Sequence, residues 1–520
     1  MATKKKILFL RPPRYLWSIM NATNYFVLPL AYPTLAGYLR RKLPELEIHI
    51  VDTNLKNLGW NSVAKLISDL KPDFVAVGEK TMYYDEGFRA FTLAKNLNPN
   101  VVTIGGGVMY SALPKWSLNE CKSLDYIVAY EGEETLCELI ETLIGGGDVA
   151  NVRGIAYRNS DGEPQITPPR PLIEDLDSLP FPAYDLMNVP AYKTFGEKWP
   201  ISTTIQSARG CLSNCNFCSW RIQEGRPALF NGKYKSYPAF RRKSVGRAIE
   251  EVEYLYRNFG VRYLFWVDAS FNLDNEWVVN FSEELLRKNL KIQYLASVRS
   301  DYLLEQERLG ILELMVKSGL RHVIVGVERS TESDLSWLNK RLAGNMDTSL
   351  EIFRVMAKKY PEVLRQGIYL CGLPDDDAKK IEALVAHAHT CNLDIATFHP
   401  LTPFPGTPLY EDSIANGSIE ERDFTKYDLF HPIMRTKYLT REEVGHLTHR
   451  NHRLFLLKKP WRFPLGLASP HFVRREMLRW AVEVMAKSVF KEASESIRNG
   501  SFKLTSESIN MIKKPAWYES

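Results

Sequence analysis

Three of the chain's seven cysteines fall close together, in the run Arg209-Gly210-Cys211-Leu212-Ser213-Asn214-Cys215-Asn216-Phe217-Cys218. A loop of this C-x3-C-x2-C length can turn three thiolates onto one small centre. Iron–sulfur clusters take such soft ligands, normally four for a four-iron cluster, so a set of three leaves one iron open to a substrate. Zinc is the competing reading, but it wants a fourth Cys or His nearby. The nearest downstream candidates are Cys371 and His322. Spacing and ligand preference together favour the cluster. Cys121, Cys137, Cys371 and Cys391 have no motif around them and read as small buried apolar residues.

Other polar residues stand where strands should end. Glu328 closes the apolar run Val323–Val327, where a carboxylate is costly unless it is paired or at the strand's mouth. Ser297 and Arg299 end the preceding strand. Arg299 suits a bidentate carboxylate, and an ion pair with Asp301 is the alternative. Gly105, Gly106 and Gly107 would let backbone approach a bulky ligand, or simply make a tight strand–helix turn. His446, His449 and His452 recur at helical spacing without the carboxylates that would make a metal site convincing.

The elements that must hold these residues form two alternating runs. The first, residues 1–147, has strands at Lys6–Leu10, Glu47–Val51, Phe74–Gly78, Val101–Ile104 and Tyr126–Ala129. Between them lie helical patterns near Pro33–Lys42, Ser62–Leu70, Tyr84–Asn96 and Thr135–Leu143. Short apolar strands alternating with amphipathic helices predict a doubly wound parallel sheet covered on both faces, with ligands beyond the strands' carboxyl ends. Residues 148–200 are proline-rich and read as a linker lying extended over the domains.

The second run, 201–410, has strands at Thr203–Ser207, Tyr263–Val267, Ile292–Ala296, His322–Val327, Gln366–Cys371 and Ile395–Pro400. Its helices are Gly246–Asn258, Asn275–Lys288, Glu307–Ser318, Asp347–Lys358 and Lys379–Cys391. Six βα units make an incomplete barrel or an open sheet. Residues 411–520 read as helical, basic and aromatic, with Trp461, Phe463, Trp480 and Trp517.

Composition narrows the class further. Apolar residues are 45% and charged residues 25% of 520, the balance of an ordinary soluble globular protein. The 67 Lys and Arg are mixed with 61 Asp and Glu for a net +6, which does not predict a nucleic-acid binder. No signal sequence and no run of the ~20 apolar residues that span a bilayer is visible, so a cytoplasmic, reducing setting is expected.

With those features in place, C-x3-C-x-aromatic-C, here with Phe217, resembles the signature of the radical SAM superfamily, which uses S-adenosylmethionine (SAM). The runs Leu28–Leu39, Pro72–Gly78, Gly105–Gly107 and Glu131–Leu136 resemble the branch that carries a cobalamin-binding domain. Asp268–Phe271, Val325–Glu328, Gly372–Pro374 and Thr402–Tyr410 extend the likeness through the barrel. The resemblance implies a partial (β/α)6 barrel, a [4Fe-4S] cluster on Cys211, Cys215 and Cys218, and SAM chelated to its open iron. It implies SAM contacts from Phe217, Ser297, Arg299 and Glu328, although Phe217 also reads as a core aromatic and Glu328 as a structural partner of Arg321. It also implies cobalamin near Thr81, Met82, Tyr83, the three glycines and Glu131. The histidine motif D-x-H-x-x-G, with which many cobalamin proteins reach cobalt, is absent. His49, inside a strand, reads as a packed core residue.

The resemblance implies a radical enzyme with a small-molecule substrate and a reducing partner such as flavodoxin or ferredoxin. Three functions stay open. One is methylation of an unactivated carbon, the cobalamin taking a methyl group from one SAM and a second SAM yielding the 5′-deoxyadenosyl radical. Another is radical oxidation or cyclisation of a tetrapyrrole-like or lipid substrate, as in the anaerobic magnesium-protoporphyrin monomethyl ester cyclase group. The third is a non-catalytic cobalamin or SAM sensor.

Overall fold

In a computed structural model of the chain, the described residues are 4–14, 16–17, 27–193, 195, 198–340, 348–483 and 512–520. The first run forms a seven-stranded sheet in the order Glu47–Asp52, Lys6–Arg11, Phe74–Gly78, Val102–Gly106, Tyr126–Val128, Ile155–Arg158, Pro164–Ile166. Its first five strands are parallel. Their apolar side chains fill cores on both faces, one around Phe9, Ile104 and Ile140, the other around Leu8, Val75 and Phe91. The order reverses between Lys6–Arg11 and Phe74–Gly78. A doubly wound sheet binds its ligand at that reversal, beyond the strands' carboxyl ends.

The second sheet has six parallel strands in strict chain order: Ser202–Ile205, Tyr263–Trp266, Gln293–Val298, Leu320–Glu328, Leu364–Cys371 and Ile395–Pro400. With no reversal, every right-handed crossover puts its helix on the same face. The sheet is therefore wound one way, as in a barrel, and its first and last strands stay unpaired with each other. One large core, including Trp266, Phe281, Tyr294 and Val325, lies beneath it.

Three departures from the sequence reading have local causes. Ile155–Arg158 and Pro164–Ile166, expected as linker, form an antiparallel hairpin that extends the first sheet. The helix expected at Glu307–Ser318 is Ile311–Ser318; Gly310, at φ +76, separates it from a helix over Ser300–Arg308 that the sequence reading missed. The remote tail does not stay beside the barrel. Ile512–Lys513 pair with Leu16–Trp17, and the Tyr518 ring stands on Trp60 in the first unit. Asp347 and the Phe463 side chain, named above, fall outside the described residues, as do 484–511 of the tail.

The helix Arg441–Leu457 begins with a capping box of Thr440 and Glu443 and packs against Ala378–Thr390 and the edge strand Ile395–Pro400. There Phe398 N–H donates to His452 Nε2 at 3.1 Å, and His452 Nδ1 lies 3.2 Å from Thr448 O. One neutral tautomer satisfies both contacts. Burial pushes this imidazole down to about 3, with His399 and His449 adding to the effect. His452 thus satisfies an edge-strand donor. Among the described residues it joins no metal-binding group.

Candidate active site

The loop carrying the three cysteines follows the first barrel strand, and four carboxylates hold its approach. Asp268, just beyond Tyr263–Trp266, accepts from the backbone N–H groups of Ser207 (2.8 Å) and Ala208 (3.0 Å). Glu224 accepts from Gly210 N–H and from Gln206 Nε2, both at 2.7 Å, and burial pushes its carboxyl up to about 7. Arg209 donates to Glu131 at 2.7 Å and also to Glu133, both from the first unit. Arg241 completes this knot, reaching both Glu131 oxygens at 2.8 and 2.9 Å. Both oxygens of Glu131, expected at cobalamin, are therefore engaged in joining the two units. From the other side, Asn216 N–H donates to Leu338 O at 3.1 Å and Asn339 Nδ2 donates to Asn214 O at 2.8 Å.

Cys211, Cys215 and Cys218 are each partly exposed and reduced. Burial pushes Cys218 up to about 12, with the charges of Cys215, Cys211 and Glu328 adding to the effect, so the three sulfurs share one locale. Among the described residues, no three His, Cys, Asp or Glu side chains converge tightly enough for a single ion. Three soft thiolate donors on one short loop, with no fourth Cys or His beside them in sequence, fit three corners of a four-iron cluster.

Glu328 faces the same locale. It ends its strand at a register shift with φ +63, a left-handed backbone that costs a non-glycine residue of order 1–3 kcal/mol and clusters at functional sites. Its Oε1 lies 2.9 Å from Lys340 Nζ. Arg321, the partner considered from sequence, instead donates to the carbonyls of Val316 and Leu320. The ion pair lies across Gly326, where a Cβ would come within 2.2 Å of Glu328 Oε1, and this accounts for the glycine in Val325-Gly326-Val327-Glu328. Burial raises the Cys215 thiol; the Lys340 charge opposes that shift and the Glu328 charge adds to it.

Arg299 makes the ion pair considered as its alternative and a contact not foreseen. It pairs with Asp301 at 2.6 Å and donates to Ser213 Oγ inside the cysteine loop. Ser297 is half-buried in the same strand and its carbonyl accepts from Phe271 N–H at 2.8 Å. Phe217 is half-buried against an apolar cluster of Leu338, Leu370, Leu401 and Leu409 that also includes Met109 of the first unit.

At the reversal point of the first sheet, Arg14 pairs with Glu79 at 2.7 Å, both side chains buried. Burial pushes Glu79 up to about 7 against the pull of Arg14 and Arg11. Among the described residues, Glu79 Oε2, Arg14 Nε and Tyr110 OH have no hydrogen-bond partner. Lys80 is exposed, yet desolvation pushes its ammonium down, with the charges of Arg11 and Arg14 adding to the effect. Orphaned buried polar atoms at the sheet's reversal point fit a large group rimmed with amides, as the corrin of cobalamin is. Thr81, Met82 and Tyr83 form a short turn there, with Arg14 4.4 Å from the Tyr83 ring.

The three glycines differ in kind. A Cβ on Gly105 would meet Tyr110 and Leu124 at 3.2–3.3 Å, and one on Gly107, at φ +91, would meet Glu79 O at 2.8 Å. Packing and turn geometry explain those two. Gly106 has only Val128 O, at 3.6 Å, within reach of its Cβ position, and is the one of the three with room beside it. His49 is half-exposed and bound to Glu47 at 2.7 Å, so it is not the core residue expected.

Comparison with known proteins agrees with both halves. Residues 17–140 match the B12 binding domain, and residues 205–385 match the Radical SAM superfamily. The chain is a radical SAM enzyme with a B12-binding domain. An uncharacterized methyltransferase of Pyrococcus horikoshii is 29% identical, over 87% of this chain and 93% of its own length. The anaerobic magnesium-protoporphyrin IX monomethyl ester cyclase of Rubrivivax gelatinosus is 27% identical, over 94% and 83%. Among solved structures, the methyltransferase TsrM from Kitasatospora setae, with cobalamin and a [4Fe-4S] cluster bound, shares the fold with a TM-score of 0.66 at 16% identity, over 92% of this chain and 99% of that one. A [4Fe-4S] cluster, SAM and cobalamin are the cofactors of this enzyme. No helix among the described residues is long and apolar enough to cross a membrane.

Proposed function

We propose that this enzyme methylates an unactivated carbon of a small molecule. Cys211, Cys215 and Cys218 hold the cluster, Glu328, Arg299, Ser297 and Phe217 line the SAM site, and cobalamin sits at the reversal point of the first sheet beside Gly106, Lys80 and Thr81–Tyr83. The observation that carries this reading is that the carboxyl ends of both sheets open toward each other. The loop after Tyr126–Val128 meets the loop after Ser202–Ile205 through Glu131, Glu133 and Arg209. A substrate between them can be reached from both sides. When bound, the cluster and SAM supply a hydrogen-abstracting 5′-deoxyadenosyl radical, and cobalamin supplies the methyl group.

The chain's own part is placement and exclusion. Lys340 holds the Glu328 carboxylate at the loop, where it can accept from the amino group or ribose hydroxyls of SAM. Arg299, fixed by Asp301, braces Ser213 between the first two cysteines. The apolar wall of Met109, Leu370, Leu401 and Phe217 keeps water from the reacting carbon. The setting is cytoplasmic, with electrons from a flavodoxin or ferredoxin.

The cyclase relative, matched over 94% of this chain, favours a second reading in which the same site oxidises or cyclises its substrate. Anaerobic turnover with deuteromethyl SAM, followed by mass spectrometry of candidate substrates, separates the two. Methylation adds one labelled carbon; oxidation removes hydrogen and adds none. Replacing Cys211, Cys215 or Cys218 by Ala should abolish both the product and the cluster's visible absorption. A reduced holoenzyme that never forms 5′-deoxyadenosine would return the chain to the sensor class.

A further inference from the structure

The end of the barrel opposite the cysteine loop carries a second concentration of charge. A crevice of about 610 Å³ lies at the amino-terminal ends of the barrel strands, lined by Lys198, Arg262, Lys291, Lys317 and Arg321. Among the described residues, Lys317 alone of these is held by a carboxylate, Glu313 at 2.5 Å. Arg262 and Arg321 donate to backbone carbonyls, which leaves their charge unneutralised, and Glu362 is the carboxylate that faces Arg321. Leu285, Leu286 and Phe472 give the crevice an apolar lining beneath its cations.

The tail beyond the helix Arg441–Leu457 completes this end. Lys459 Nζ donates to His389 O, Arg462 Nη1 to Leu393 O, and Arg474 Nη1 to Pro361 O, so the segment lies across the loops that precede the last two strands. From it project Leu457, Trp461 and Leu465, with 71%, 56% and 69% of their surface exposed. Lys458, Lys459 and Arg475 stand beside them; Arg475 lies against Glu476 and the Phe472 ring.

We infer that this face docks the enzyme on a membrane surface rich in anionic lipid. Cations over an apolar lining, flanked by projecting Trp and Leu side chains, are what a charged bilayer interface rewards. The headgroups attract the Lys and Arg side chains, while Trp settles at the boundary and Leu in the acyl region. A free phosphate or an acidic protein would use the cations but leave the projecting apolar residues unexplained. The face lies at the far end of the barrel from the cluster loop, so docking leaves the mouth of the active site accessible.

The test is co-sedimentation of the anaerobic holoenzyme with vesicles of pure phosphatidylcholine or of phosphatidylcholine mixed with phosphatidylglycerol. The protein should pellet with the anionic vesicles only, and less so as salt rises. Lys291→Glu should lower partitioning by at least about fivefold, the usual effect of one cation near such a surface. Trp461→Ser with Leu465→Ser should also lower it, with iron content and SAM cleavage unchanged in both variants. Equal or absent binding to the two vesicle types overturns the inference, and so does binding that all these variants leave intact. If the Trp461/Leu465 variant binds as well as the parent while Lys291→Glu does not, and inorganic phosphate competes, the face is a soluble-anion site and the membrane reading falls.

Discussion

Arg209→Met would remove the cation that ties the cluster loop to the cobalamin-binding unit. Arg209, Glu131 and Glu133 have side chains only 11%, 8% and 4% exposed, so water cannot replace the lost charge. Glu131 keeps Arg241, but Glu133 loses the partner that matters. Burial alone would raise the Glu133 carboxyl; the charge and hydrogen bond of Arg209 hold it below its usual value. Breaking a buried pair from one side costs about 3–5 kcal/mol, against about 0–1 for a surface pair. The sign with pH follows. In the parent the depressed Glu133 contributes stability above the ordinary carboxyl range, and this is lost as pH falls through its lowered native value. In the variant that carboxyl is raised, so the gap between the two proteins should be widest near neutrality and narrow on acidification. Arg209→Met combined with Glu133→Gln removes both charges and should recover most of the loss. Urea unfolding under anaerobic conditions, with iron per chain measured in parallel, reads both effects. A loss below about 1 kcal/mol, or a double variant no better than the single one, would refute the claim that this knot holds the units together.

Two further outcomes concern buried histidines and Glu328. His322 and His452 are buried and neutral, each pushed down to about 3 mainly by burial. Stability should therefore fall as pH drops below the ordinary imidazole value of about 6.5, and equilibrium unfolding midpoints measured from pH 7 to 4.5 check this; a flat profile contradicts it. Glu328→Gln should weaken SAM binding by about tenfold, or ~1.4 kcal/mol, with the cluster intact. An unchanged SAM dissociation constant alongside lower thermal stability would make Glu328 only a structural partner of Lys340.

The strands were the legible part of the fold. Phe74–Gly78 could be read directly because a parallel strand buried on both faces is a continuous apolar run with little else to signal. The hairpin Ile155–Ile166 was not, since an edge ladder needs no such run and its residues are half polar. The cysteine loop was legible because its ligands are adjacent in sequence. Its supports were not. Arg209 and Glu133 lie 76 residues apart, and nothing in either local sequence marks them as partners. The same holds for Arg14 and Glu79, 65 residues apart, although both stand at strand ends that a reader of doubly wound sheets would inspect. Glu131 shows the limit most clearly: it was placed by family likeness near cobalamin, and only three-dimensional structure reveals that Arg209 and Arg241 occupy its oxygens.

That knot also bears on how two cofactor sites can serve one reaction. A radical on a substrate carbon is short-lived, so the group it captures must already be in place, and the two sites cannot drift apart between steps. Units joined by a flexible linker alone would drift. Here the proline-rich segment is itself fastened. Tyr192 donates to Asp52 at 3.0 Å, beyond the strand Glu47–Asp52, and Ala183 N–H donates to Pro33 O at 2.7 Å. At the front, Glu131 and Glu133 clamp the cysteine loop. Behind them, Met109 packs with Leu370, Leu373 and Leu401 from the barrel's strand ends. Polar clamps fix the register of one unit on the other, and the apolar contact supplies the cohesion. The consequence is that the distance between the cysteine loop and the carboxyl end of the first sheet is set by packing along the whole interface.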